Sequence, residues 1–258
     1  MDTSMALVCD VDGTLLGDDA ALGHFAEWYL QREREIRLVY NSGRFIDSVM
    51  ESVATTLLPT PDAIIGGVGT EIGFPATGNR LTTWWERFHE WNPDAIAEML
   101  KDDPRLQPQP AEFQSNYKRS YYAHNLTPSE LDELHRRVST VSSASLVYSS
   151  QRDLDFLPSQ ANKGTATAFL GCHWGLSYDR IIVAGDSGND KAMFELGFLG
   201  IVVANAQPEL QQLADRRIYL SPYSYASGVL DGLRQWLPDD PPPLPSHVSS
   251  TLASKSAE

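Results

Sequence analysis

The chain has 258 residues, 42% hydrophobic and 21% charged, enough apolar material for a folded core and too much for a disordered polymer. Its formal net charge of -14, without a cluster of Lys and Arg, excludes a nucleic acid as partner, because binding a polyanion depends on phosphate neutralisation by grouped cations. No apolar run approaches the roughly 20 residues of a membrane span, and Met1-Asp2-Thr3-Ser4 lacks the basic opening of a signal peptide, so no membrane is expected and the expected location is cytoplasmic. Cys9 and Cys172 form neither a disulfide framework nor a CxxC site, and both read as packing residues.

In chain order, Met5–Cys9 and residues 36–40 are short continuous apolar runs that predict strands buried on both faces. Phe45, Ile46, Val49, Met50, Val53 and Leu57 follow at helical spacing. From about residue 81 to 157 the rhythm changes. Trp84, Trp85 and Trp91, read as packing anchors for the hinge or the next helix, lead to a helix over 93–101 and a strand near 117–123. A helix over Pro128–Val138 and strands around 146–148 and 153–157 complete this part. Helical spacing resumes after Asn162, a suitable N-cap, with Ala166, Phe169 and Leu170, and apolar runs recur at 181–184 and 201–204.

This alternation predicts an α/β fold: a doubly wound parallel-sheet core over 1–80 and 159–240, with an α+β cap inserted at 81–158. The ligand cleft belongs at the carboxyl ends of the strands, beneath the cap. The Pro- and Ser-rich stretch 241–258 reads as a disordered tail.

Four segments carry side chains suited to chemistry. Asp10-Val11-Asp12-Gly13-Thr14 directly follows the first strand, and alternation sends Asp10 and Asp12 to the same side. One carboxylate can attack phosphorus while the other serves the leaving alkoxide and then water as acid and base; an acidic turn ending in Gly13 has the same composition. Asn41-Ser42-Gly43-Arg44 joins a strand to a helix, offering a hydroxyl and free N–H groups to a phosphate, or simply an N-cap turn. Asn162-Lys163-Gly164 opens a helix with an ammonium that could neutralise building charge. Gly185-Asp186-Ser187-Gly188-Asn189-Asp190 offers two carboxylates in a tight turn, the hard oxygen donors that Mg²⁺ prefers.

In this order the segments resemble the haloacid dehalogenase superfamily of phosphohydrolases, whose core is Rossmann-like. The resemblance implies Asp10 as nucleophile and Asp12 as general acid and base, with Ser42, Gly43 and Lys163 holding the phosphate. Mg²⁺ is the implied cofactor, on Asp10, Asp12 (through its backbone carbonyl), Asp186 and Asp190. The carboxylate at Asp12 implies hydrolysis, since superfamily members that preserve the aspartyl-phosphate lack it.

Val68-Gly69-Thr70-Glu71-Ile72, Asp153-Leu154-Asp155-Phe156-Leu157-Pro158 and Ala204-Asn205-Ala206-Gln207-Pro208-Glu209-Leu210 are further similar to the sucrose-phosphate phosphatase family. A small-molecule sugar phosphate is therefore the implied partner, sucrose 6-phosphate first, with association with a glycosyltransferase of the sucrose-phosphate synthase type and a monomeric state also expected. Polar cap strands supply Lys118, Arg152 and Asp153 as candidate substrate contacts, joined by Arg44 and Asn189 from the core motifs. The chain departs from the family pattern in Ser42, where Thr is usual, and in Gln151-Arg152, where a Gly-Lys pair is usual. The second departure leaves mannosylfructose phosphate or glucosylglycerol phosphate as alternatives. A phosphosugar mutase and a non-catalytic sugar-phosphate sensor are the competing readings.

Overall fold

A computed structural model describes residues 5–213, 215–237 and 242; the tail expected from residue 241 lies outside the described residues apart from Pro242. The first half of the core runs β1 (Met5–Cys9), α1 (Asp19–Leu30), β2 (Ile36–Asn41), α2 (Ile46–Thr55), β3 (Ala63–Gly66), β4 (Glu71–Phe74) and β5 (Asn79–Arg80). The insert follows as α3 (Pro93–Leu100), β6 (Gln107–Pro108), β7 (Arg119–Tyr122), α4 (Pro128–Val138), β8 (Ala144–Ser149) and β9 (Asp153–Pro158). The chain returns through α5 (Lys163–His173), β10 (Ile181–Gly185), α6 (Lys191–Glu195), β11 (Leu199–Val202), α7 (Pro208–Gln211), β12 (Ile218–Leu220) and α8 (Tyr225–Trp236).

The core sheet has the order β12-β11-β10-β1-β2-β3-β4-β5. Pairing is parallel from β12 to β3, and the apolar runs of β1 and β10 lie side by side, Ala6 opposite Ile181 through Cys9 opposite Ala184. The chain winds outward from β1 in both directions, so the carboxyl end of β1 faces the topological switch point, where clefts form in such sheets. At one edge β4 and β5 return antiparallel, which the alternating-element reading did not foresee. Their strands are too short for a periodicity signal, and Ala63–Gly66 merges into a glycine run. The strand read at 201–204 lies two residues earlier, because Val203 and Ala204, equally apolar, continue past the end of β11. Cys9 is a core residue, whereas Cys172 is exposed: it lies on the outer face of α5, so the packing role expected of it does not hold.

The insert forms its own antiparallel sheet, order β6-β7-β9-β8. Period-two alternation divides its faces. Tyr121, Leu154 and Phe156 pack with Ile96 and Leu100 of α3 and Leu134 and Val138 of α4, while Ser120, Tyr122, Asp153 and Asp155 turn the other way. Thr127 and Glu130 cap α4 reciprocally.

The start of the insert belongs physically to the core. Trp84 is buried in the core cluster, 4.9 Å from the Phe169 ring, and its Nε1 donates to Gly69 O at 2.9 Å. Trp85 Nε1 donates to Thr70 O at 3.0 Å. Both indoles thus fasten the start of the insert to the core. Among the described residues no helix is long and apolar enough to cross a membrane.

Inside the cap, Asp103 is buried between two guanidinium groups: Arg105 Nη2 and Arg137 Nη1 each reach its Oδ2 at 2.7 Å. The Arg105 bonds, joined by those of Arg137 against the opposing effect of burial, hold its carboxyl well below the usual carboxylate range. A depressed folded-state value stabilises the fold fully above the unfolded-state value of about 3.9, and that stability is lost as pH falls through the folded-state value. Asp103→Asn is expected to lower stability at neutral pH by about 1–3 kcal/mol, and to lose less than the wild type on acidification below about pH 4, read by urea denaturation.

Candidate active site

Asp10 sits at the carboxyl end of β1 with its N–H donating to Ala184 O at 2.9 Å, which fixes it against β10. Its side chain is 6% exposed. Lys163 enters beside it from the first turn of α5, where Asn162 and Thr165 form a reciprocal cap, with Thr165 N donating to Asn162 Oδ1 at 2.8 Å. The fully buried Lys163 ammonium bridges Asp10 Oδ1 and Asp190 Oδ1, both at 2.6 Å. Asp190 Oδ2 accepts the N–H groups of Asp186 and Ser187, both at 3.0 Å. Both oxygens of Asp190 are thereby engaged, Oδ1 by Lys163 and Oδ2 by the loop that carries Asp186.

Carboxylate oxygens of Asp10, Asp186 and Asp190 lie within 4.8 Å of one another. Three carboxylates face one lysine. Burial pushes the Asp10 carboxyl well above the usual range; Lys163 opposes this, and Asp190 and Asp186 add to it. Burial and the nearby Asp190 push Asp186 up to about 6. Burial alone would lower Lys163, but Asp10 and Asp190 outweigh it and keep the ammonium protonated. Burial is the first cause of both carboxylate rises, and the surplus of carboxylates over lysine adds to it. An all-oxygen donor set with excess negative charge fits Mg²⁺, which Asp10 and Asp186 would hold. Thr14 Oγ1, donating to Asp186 Oδ1 at 3.2 Å, orients that carboxylate.

Asp12 follows on the exposed side of the same turn, and Arg44 Nε lies 2.8 Å from its Oδ2. Arg44, read from sequence as a substrate contact, therefore pins Asp12, while its Nη1 donates to Ser52 Oγ at 2.8 Å. Ser42 is buried and its Oγ accepts the Arg44 N–H at 3.1 Å, which leaves the hydroxyl hydrogen to donate. The Ser42–Arg44 loop is braced by Glu71, whose Oε1 accepts the N–H of Ile46 at 2.7 Å in the first turn of α2. Asn41 Nδ2 ties the end of β2 to Lys163 O and Thr167 Oγ1, both at 3.0 Å.

A cavity of about 390 Å³ joins these groups to the polar cap face. Asp10, Asp12, Gly43, Arg44, Asp186 and Asn189 line it from the core, and Lys118, Arg152 and Asp153 from the cap. Ser42, Lys163 and Asp190 lie behind the lining. Two of the cap residues expected to contact substrate bind each other, Arg152 Nη2 to Asp153 Oδ2 at 2.8 Å, and Gln109 Nε2 donates to Asp153 Oδ1 at 3.0 Å. Lys118 is buried, 3.3 Å from Asp155 Oδ2 and 3.4 Å from Gly43 O, so it spans cap and core. Gln109, Asp155 and Gln207 also line the cavity and were missed; only the alternation of β9, which puts Asp155 on the face of Asp153, could have signalled one of them.

Residues 3–237 match the model of the family described as sucrose-6F-phosphate phosphohydrolase. The chain belongs to this family. It is a phosphatase with the haloacid dehalogenase fold. It is 37% identical over 237 residues to the mannosylfructose-phosphate phosphatase of Agrobacterium fabrum, covering 89% of this chain and 96% of that one. Sucrose-phosphatase 1 of Nicotiana tabacum is 31% identical over 226 residues; the match takes in 81% of this chain and 52% of the plant protein. The solved sucrose-phosphatase of Synechocystis sp. PCC6803, in complex with sucrose and phosphate, superposes with a TM-score of 0.85 at 32% identity, over 92% of this chain and 98% of that one.

Gly13 has φ +87, and a Cβ there would stand 2.6 Å from Asp186 Oδ2. Gly13→Ala should displace the carboxylate and weaken Mg²⁺ binding about tenfold or more, measured by titration calorimetry.

Proposed function

We propose that the protein hydrolyses sucrose 6-phosphate to sucrose and phosphate in a Mg²⁺-dependent reaction through an aspartyl-phosphate on Asp10. The observation that carries this reading is the buried Asp10–Lys163–Asp190 arrangement at the floor of a cavity whose mouth holds a second carboxylate, Asp12, and whose roof is polar.

Asp10 attacks phosphorus and the bond to the sugar oxygen breaks. Protonated Asp12 delivers its proton to that oxygen as it leaves. The resulting Asp12 carboxylate takes a proton from a water molecule, which attacks the acyl phosphate, releases inorganic phosphate and restores Asp10. The Ser42 hydroxyl and the Gly43 N–H hold phosphoryl oxygens, and Lys163 offsets the repulsion between the Asp10 carboxylate and the phosphate it attacks. When bound, Mg²⁺ supplies the positive charge that lets a carboxylate approach a phosphate ester. Lys118, Arg152, Asp153 and Asn189 are the proposed sugar contacts. The cavity lies within the usual range of small-ligand sites, about 300–1,000 Å³.

A second substrate, mannosylfructose phosphate, is favoured by the relative that bears that name, matched over nearly its whole length. The test is a phosphate-release screen over sucrose 6-phosphate, mannosylfructose phosphate, glucosylglycerol phosphate and monosaccharide phosphates. A higher kcat/KM for a disaccharide phosphate is expected, and a preference for monosaccharide phosphates would refute the substrate assignment. Isomerised sugar phosphate without free phosphate would indicate a mutase.

Asp10→Asn is expected to abolish turnover, and Asp12→Asn to lower kcat by about 10²–10⁴-fold, the range of general acid–base catalysis. Substantial activity in the Asp10 variant would remove the nucleophile assignment. Chelation with EDTA should stop phosphate release, and added Mg²⁺ should restore it.

A further inference from the structure

The two loops that carry the carboxylates, 10–14 and 186–190, are held from one side by residues 205–207. Asn205 Nδ2 donates to Gly13 O at 2.7 Å, and its Oδ1 accepts the Tyr225 N–H at 2.9 Å. The Gln207 N–H donates to Asp186 O at 2.7 Å. Gln211 Nε2 braces the segment from α7, donating to Ala204 O at 3.2 Å and Ala206 O at 2.8 Å. The segment is thus a fixed bracket across the floor of the site.

One part of the bracket reaches the cap. Gln207 begins α7 but makes no side-chain cap bond there; its Nε2 instead lies 3.5 Å from Ser150 Oγ, at the tip of the β8–β9 hairpin. That distance is the outer limit of a hydrogen bond, so a hinge movement of a fraction of an ångström makes or breaks it. The tip is itself firmly shaped. Ser150 and Gln151 have φ of 53 and 51, consecutive left-handed conformations in residues other than glycine. Three bonds hold this turn: Arg152 N to Ser149 O at 3.1 Å, Asn125 N to Gln151 O at 3.0 Å and Ala123 N to Arg152 O at 2.7 Å. Beside it, Tyr148 O stands 3.5 Å from the point where a Cβ on Gly188 would lie, so the hairpin is seated on the Asp186 loop itself.

We propose that Gln207 is a positioning residue that couples cap closure to the Asp186 loop, its side chain meeting Ser150 of the cap while its backbone holds Asp186. The inference rests on the reading of Asp186 as a Mg²⁺ ligand. Closing the cap brings Ser150 within bonding distance, steadies Gln207 and with it the Asp186 carbonyl, so the metal site is most ordered when the cap is shut. By linkage, metal binding favours closure to the same degree.

The test is a double-mutant cycle on Mg²⁺ affinity in the full chain, with Mg²⁺ alone as the titrant in calorimetry. Ser150→Ala alters only the cap tip, yet is expected to weaken Mg²⁺ binding about threefold or more, a size typical of coupling through a packed network. Gln207→Ala, which keeps its backbone N–H, should show a similar loss, and the double variant no further loss. Gln207→Asn, with the amide retained on a shorter side chain, should match Gln207→Ala. Unchanged affinity in Ser150→Ala, or losses that add, would overturn the coupling. Because no sugar is in the cell, this result is independent of which sugar phosphate is the substrate; wild-type protein that binds no Mg²⁺ overturns both the coupling and the metal reading.

Discussion

The contact on which the rest depends is the buried ammonium of Lys163 between Asp10 and Asp190. These residues come from β1, from the start of α5 and from the loop after β10, so a single cation joins the two halves of a core that the cap interrupts. A fully desolvated lysine is tolerable only because both partners meet it at hydrogen-bond distance, and removing Lys163 would leave two buried carboxylates without a counter-charge. The same arrangement is deliberately incomplete as a charge balance. Lys163 cannot neutralise Asp10, Asp186 and Asp190 together, and this surplus of negative charge suits the site to a divalent cation.

Around that floor the cap supplies shape. Alternation along β7 and β9 gives one face to α3 and α4 and the other to the cleft, so a hydrophobic cluster of its own supports the polar roof. The hinge is held at its core end by the indoles of Trp84 and Trp85 on the carbonyls of Gly69 and Thr70. Those carbonyls adjoin Glu71, which braces the Ser42–Arg44 loop, so the start of the insert and that loop share one short stretch of backbone.

Much of the architecture was legible in the chain. The apolar runs of β1, β2 and β10 and the spacing of α4 and α5 carry their own period, and Asn162 and Thr127 announce helix starts by their chemistry. The β4–β5 hairpin was not legible, because two- and four-residue strands leave no periodic trace. In the site, Asp10, Asp12, Lys163, Asp186 and Asp190 were identifiable as side chains at element ends, and the fold brings them together. Their pairings were not: that Arg44 meets Asp12, or Arg152 meets Asp153, depends on tertiary distances rather than on residue type. Asn205 and Gln207 were seen only as part of a family-like stretch, since their work is done through carbonyls of residues far away in the chain.

The seating of β8 on the core has a bearing on solubility. Most strands that end a sheet in this molecule are two or three residues long, too short to template pairing with another chain, but β8 presents six residues at the edge of the cap sheet. Its carbonyl at Tyr148 lies 3.5 Å from where a Cβ on Gly188 would stand, so the loop after β10 covers part of this edge. It is the longest strand at a sheet edge among the described residues. The one long strand at a sheet edge is thus also the one set against another part of the same chain, where it is less free to pair with a second molecule.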